Sequence, residues 1–237
     1  MRVRVGTSGF SYKGWKGNFY PERFAEKDML RFYAERFSTV EVNNTFYRMP
    51  SESTLKRWSE EVPARFAFVL KASRRITHLG RLLDVRDSVT YFVNTASVLG
   101  EKLGPLLFQL PPNFKKDSGR LRDFLALLPP GFRAAMEFRH ASWFDDEVHD
   151  LLRARGAALC FADGDEELEV PFVATADWGY LRLRRPEYGE PELRAWAERI
   201  GARSWKDAFV FFKHEEEGRG PKLAARFLEA LGPAASG

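Results

Sequence analysis

One cysteine, Cys160, stands in 237 residues. It excludes an intrachain disulfide framework and a multi-cysteine zinc site, and makes a reducing cytoplasm the expected compartment. No apolar run approaches the ~20 residues that a bilayer-crossing helix needs, so no membrane partner is expected. The first residues, MRVRVGTSGF, lack the apolar stretch of a secretory signal. Thirteen prolines and eighteen glycines are too few for a fibrous or low-complexity chain. The four histidines, His78, His140, His149 and His214, form no HxxxH or HExxH pair. No GxSxG elbow, Walker A loop or kinase signature is present. GTSGF at 6–10 lacks the third glycine of a dinucleotide-binding fingerprint. The charge of +4, from 37 basic and 33 acidic residues, is too small an excess to demand nucleic acid.

What is present is a rhythm. Short β-rich runs begin near Arg2, Thr39, Phe66, Pro105, Arg133, Ala157, Gly179 and Ala208. Helical patterns separate them at 27–37, 51–61, 86–103, 118–128, 142–155, 190–200 and 221–231. Ser51 suits an N-cap, Gly156 a helix end and Pro221 a first helical turn. The connection at 163–171 is too short and acidic for a helix. Eight strands at about 30 residues per unit predict an α/β fold, a single (β/α)8 TIM barrel. An open doubly wound sheet is the alternative. One domain over 1–231 is expected, with a tail at 232–237.

Alternation within the runs sorts the side chains. Val40, Val42, Phe68, Leu106, Phe108, Met136, Phe138, Leu181 and Leu183 should pack outward on helices. Glu41, Asn43, Lys71, Gln109, Glu137, Arg139, Arg182 and Arg184 should then point inward, near the C-terminal strand ends where barrel enzymes keep their chemistry. Two readings stand. One is a structural ion-pair network, because buried charges need partners. The other is a ligand site. In it Glu41 and Glu137 are acid–base candidates, and Lys71, Arg139 and Arg182 suit a phosphate or carboxylate. Asn43 and Gln109 would orient hydroxyls, and Lys71 can form a Schiff base if neutral. Glu137 is expected to meet Lys71 or Arg182.

The segment after the first run carries Phe10, Tyr12, Trp15, Phe19 and Tyr20. It reads as a hydrophobic plug or as an aromatic wall for a ligand, extended by Phe46, Tyr47 and Trp143. Pro111-Pro112 predicts a rigid turn, with a cis bond as one option. A divalent metal is conceivable from His140, His214, Glu41, Glu137 and Asp163, but nothing signals one. Cys160, inside a run, reads as a buried inert thiol.

Five segments in order resemble the YecE-like family, catalogued as domain of unknown function 72. They are GTSGFSYKGWKGNFYP at 6–21, FSTVEVNNTFYRMPS at 37–51, FAFVLKASRRITH at 66–78, GPLLFQLPPNF at 104–114 and AMEFRHASWF at 135–144. The resemblance runs from about residue 3 to about 231 and implies a TIM barrel, but no reaction. Gly9, Trp15, Tyr20, Glu41, Asn43, Phe46, Tyr47, Lys71, His78, Gln109, Pro112, Glu137, Arg139, Trp143 and Arg182 match its motif positions, none with a role to carry over. Many relatives resemble RLHG where this chain has RLRRP at 182–186. Many end the eighth strand in paired Asn or Asp where this chain has FFKHEEEG at 211–218. The function expected is an enzyme acting on a small polar, sugar-like or phosphorylated substrate at the barrel mouth. A nucleic-acid-binding or nucleic-acid-processing barrel and a noncatalytic ligand-binding barrel are the alternatives.

Overall fold

The computed structural model describes residues 1–164 and 168–232. The tail expected at 232–237 falls, from 233 on, outside the described residues. Eight parallel strands follow the chain: β1 Arg2–Thr7, β2 Thr39–Val42, β3 Ala67–Lys71, β4 Leu103–Gln109, β5 Ala134–Glu137, β6 Ala158–Ala162, β7 Trp178–Leu183 and β8 Asp207–Phe212. Ladders join every sequential pair from β2 to β8, and β8 to β1. The β1–β2 seam is shut at its top by a bridge between Ser8 and Glu41, where the Gly9 N–H donates to the Glu41 carbonyl at 2.7 Å. The sheet is therefore a nearly closed (β/α)8 barrel, and not an open doubly wound one. Glycine is required at position 6, because a Cβ there would lie 2.0 Å from the Thr39 carbonyl oxygen.

The helices are α1 Met29–Ala34, α2 Glu52–Glu61, α3 Arg86–Ser97, α4 Ser118–Leu127, α5 Asp146–Arg155, α6 Glu190–Gly201 and α7 Arg219–Leu231. Ser51 caps α2 by accepting the Thr54 N–H, and Gly156 ends α5 at φ 64°. Three helices are shorter than their apolar spacing predicts. α1 covers only Met29–Ala34 of the expected 27–37, with Glu26–Asp28 forming a separate turn ahead of it. α3 stops at Ser97 because Gly100, at φ 56°, turns the chain into β4. α5 starts at Asp146 because Asp145 takes the cap, while Ala141–Trp143 forms a separate turn. No helix lies between β6 and β7 among the described residues. There Thr175 accepts the Leu159 N–H and donates to the Ala157 carbonyl, both at 2.7 Å. The described residues contain no cis peptide bond, so Pro111-Pro112 turns without one. No described helix is long and apolar enough to cross a membrane.

Two cores confirm the alternation. The large one lies between strands and helices and includes Val40, Phe68, Phe108, Met136, Leu181 and Phe212. The small one fills the barrel. In it Ala67, Ala135, Ala158 and Ala162 make room for Trp178, Tyr180, Phe209 and Phe211. Small residues on β3, β5 and β6 thus offset large ones on β7 and β8, which keeps the interior close-packed. Above this layer, toward the C-terminal ends, the inward side chains turn charged.

Candidate functional site at the barrel mouth

The strand parity that sends Tyr180 inward on β7 sends Arg182 inward two residues later. Its β6 neighbour is Ala162, whose single methyl leaves room for the guanidinium to cross the barrel. It crosses to two carboxylates. Arg182 Nη2 lies 2.7 Å from Glu41 Oε1, and Nη1 lies 2.6 Å from Glu137 Oε2. All three side chains are sealed from solvent.

The remaining lone pairs are taken up. Glu41 Oε1 also accepts from the Ser8 hydroxyl at 2.7 Å and from Asn43 Nδ2 at 3.0 Å, and Oε2 accepts from the Tyr180 hydroxyl at 2.5 Å. Glu137 Oε1 accepts from Gln109 Nε2 at 2.8 Å, a neighbour set by strand register, and pairs with Arg139 Nε at 2.8 Å. Arg184 Nη1 approaches the same oxygen at 4.0 Å. Burial alone would raise both carboxyls. The Arg182 guanidinium outweighs it, helped by Ser8 and Tyr180 at Glu41 and by Arg139, Arg184 and Gln109 at Glu137. Both are held below the usual carboxylate range. The same pairing raises Arg182, against its own burial.

Glu41 and Glu137 are thus biased toward the ionised form, with partners on both oxygens. This suits them to hold Arg182 more than to exchange protons near neutral pH, which weighs against the acid–base expectation for both. Asn43 and Gln109 likewise donate to the carboxylates through their amide nitrogens.

Over the triad stand four cations at the ends of four strands. Lys71 closes β3, Arg139 follows β5, Arg184 follows β7 and Lys213 follows β8. Lys71 is half-buried, with Nζ 4.5 Å from the centre of the Phe46 ring, and its backbone carbonyl is fixed by the Thr45 hydroxyl at 2.6 Å. Among the described residues no carboxylate lies within ion-pair distance of its amine. Burial, then Arg182, lowers Lys71 to about 8; Glu137 and Glu41 oppose this and Lys213 adds to it. Burial and Arg182 also lower Lys213. Burial and the Lys71 charge lower His78. Among the described residues, five cations therefore face two buried carboxylates, two of them (Arg139 and Arg182) paired with those carboxylates, and the exposed Glu215 offsets part of the excess at the rim.

Other expected residues lie elsewhere. Trp15 and Trp143 are fully buried in the helix-side core. The Trp15 indole N–H donates to the Glu215 carbonyl at 2.9 Å, and its ring is packed among Tyr12, Phe19 and Tyr20. Trp143 stacks on Phe138 at 4.7 Å and donates to the Phe114 carbonyl at 2.7 Å. Neither leaves an open ring face, so the segment after β1 is the hydrophobic plug, and the wall reading is corrected for both. Tyr47 is 73% exposed. It borders a groove of about 840 Å³ that it shares with Arg48, Ser73, Arg75, Asp87 and Tyr91, beside the mouth but lined by no member of the triad.

Asp163 is held by the Tyr188 hydroxyl and the Arg184 N–H, and His214 Nε2 bonds the Arg185 carbonyl at 2.6 Å. No three His, Cys, Asp or Glu side chains among the described residues could share a metal ion. The Cys160 thiol is buried, and that burial pushes it well up. Ser8, Tyr180 and Lys213 join the site without having been named for it, and Arg184 joins from the inward set. Tyr180 and Arg184 share the Arg182 parity, which was the signal for them. Ser8 carried none.

A parallel barrel with a buried Glu–Arg–Glu bridge under a ring of cations at its C-terminal mouth defines a (β/α)8-barrel protein with an ionic site. Within that class the chain belongs to the family described as protein of unknown function DUF72, matched over residues 4–237. It is 34% identical over 128 residues to the UPF0759 protein YecE of Escherichia coli K12, covering 54% of this chain and 47% of that one. The match thus spans about half that relative's length. UPF0759 protein YunF of Bacillus subtilis 168 is 24% identical over 91% of this chain and 79% of its own. A DUF72 family crystal structure from Thermotoga maritima matches with a TM-score of 0.86 and 28% identity, over 98% of this chain and 99% of that one. One from Enterococcus faecalis, at 20% identity and a TM-score of 0.82, shares the fold.

Proposed function

We propose that the barrel mouth binds a small anionic substrate, phosphorylated or carboxylated, and acts on it as an enzyme; sugar phosphates are one such class. The observation that carries this reading is that, among the described residues, Lys71, Arg184 and Lys213 gather around Arg182 beyond the two cations, Arg182 and Arg139, that pair with Glu41 and Glu137. A triad built only for stability needs one guanidinium between two carboxylates. Lys71 and Arg184 add charge that burial disfavours, lowering both, and Lys213 adds a third charge at the exposed rim. A phosphate dianion among them would offset that charge and gain charge-assisted hydrogen bonds. In this reading Glu41 and Glu137 fix Arg182, and Arg139, Arg184 and Lys213 hold the anion.

Thermal unfolding with inorganic phosphate against an equal concentration of glycerol tests it. Phosphate should raise Tm saturably in the wild type, and much less in Arg184→Gln. Equal shifts in the two proteins, or none, would sink the reading.

A further inference from the structure

We propose that Lys71 is the nucleophile of this site, and that its amine forms a Schiff base with the carbonyl of a small anionic aldehyde or ketone. This rests on the anion-binding reading above and adds the chemistry to it. The geometry points to Lys71 for three reasons. It stands at the C-terminal end of a barrel strand, where side chains reach bound substrates. It is half-buried on the Phe46 ring, and no carboxylate among the described residues lies within ion-pair distance, unlike the guanidiniums of Arg139 and Arg182. It also sits in a field that disfavours its charged form.

The groups setting that field come from every side. Arg182 on β7 and Lys213 after β8 push the amine toward neutrality, while Glu137 on β5 and Glu41 on β2 pull the other way. His78, in the turn after β3, is itself pushed toward its uncharged form by Lys71. The result is an amine lowered to about 8. An ordinary lysine is neutral in about one molecule per thousand at pH 7.5. A far larger share of Lys71 is available to attack at that pH.

The step balances without another reactant. The neutral amine attacks the carbonyl carbon, a C–N bond forms, and the carbonyl π pair moves to oxygen. That oxygen takes a proton from nitrogen and a second from solvent, and leaves as water. The protonated imine keeps one positive charge where the ammonium had one. Nothing is oxidised or reduced, and hydrolysis reverses the step.

The test uses the whole protein with glycolaldehyde phosphate and sodium cyanoborohydride, which reduces an iminium to a stable secondary amine. Adducts are located by peptide mass mapping across the eleven lysines, and inorganic phosphate binding is measured in parallel. The expected result is one adduct per chain, at Lys71, forming at least ~10-fold faster than at any other lysine. Inorganic phosphate should suppress it. Lys71→Met should lose the adduct and keep its thermal transition, while binding inorganic phosphate more weakly but still measurably through Arg184 and Lys213. Uniform labelling with phosphate binding intact overturns the lysine assignment and leaves the anion site standing. Absent phosphate binding overturns the site, and Lys71 with it.

Discussion

Arg182 Nη1 lies 2.6 Å from Glu137 Oε2, and neither side chain reaches solvent. That contact joins β5 to β7 over the small β6 residue Ala162, and it organises the mouth. Because the two charges were taken out of water together, each is costly without the other.

Glu137→Gln should therefore destabilise the fold by about 3–5 kcal/mol, the usual cost of breaking a buried pair. Gln keeps the shape but leaves Arg182 with Glu41 alone. Urea unfolding measures the difference. A loss below ~1 kcal/mol would mean that the pair contributes no more than a surface bridge.

Acid should act through the same contact. The folded-state value of Glu137 lies below its ordinary 4.5, so its contribution is complete above that value and fades as pH falls beneath it. Unfolding free energy measured down from pH 5 should drop more steeply in the wild type than in Glu137→Gln. Parallel curves would contradict the depressed carboxyl.

Lys71 has the opposite sign. It is lowered to about 8 from an ordinary 10.5, so between those values the unfolded chain binds the extra proton and stability rises with pH. Below 8 both states are charged and the full cost of the buried ammonium is present. Lys71→Met should thus be at least as stable as wild type at pH 7, and should lack the rise between 8 and 10.5. An unchanged rise in Lys71→Met would assign it to another group.

Gly6→Ala tests the seam. The added methyl meets backbone, the Thr39 carbonyl, which cannot rotate away. A loss of about 1–3 kcal/mol or more is expected, with faster amide exchange at Gly9, whose N–H bonds Glu41 across the seam. A neutral substitution would mean that β1 and β2 can separate freely.

Much of this barrel was legible because a strand's period of two survives burial on both faces. Lys71, Gln109, Glu137 and Arg182 sit between outward apolar neighbours, and the structure brings them to one mouth. What the period does not encode is distance across the barrel. It left Glu137 with two candidate partners, and the room above Ala162 decided for Arg182. The aromatic segment failed for a different reason. Trp15 and Trp143 read alike whether they cover core or face a ligand, and only packing against Tyr20 and Phe138 separates the two. The end of α3 was missed because Val98 and Leu99 continue the apolar spacing up to the turn at Gly100.

The central claim, that the mouth is an anion site, is tested most directly by a crystal soaked in tungstate, with anomalous data locating the metal of the oxyanion. The strongest peak is expected between Lys71, Arg139, Arg184 and Lys213, with loss of that peak in Arg184→Gln. Tungstate seated only on outer surface arginines, with the mouth empty of anion, would contradict it.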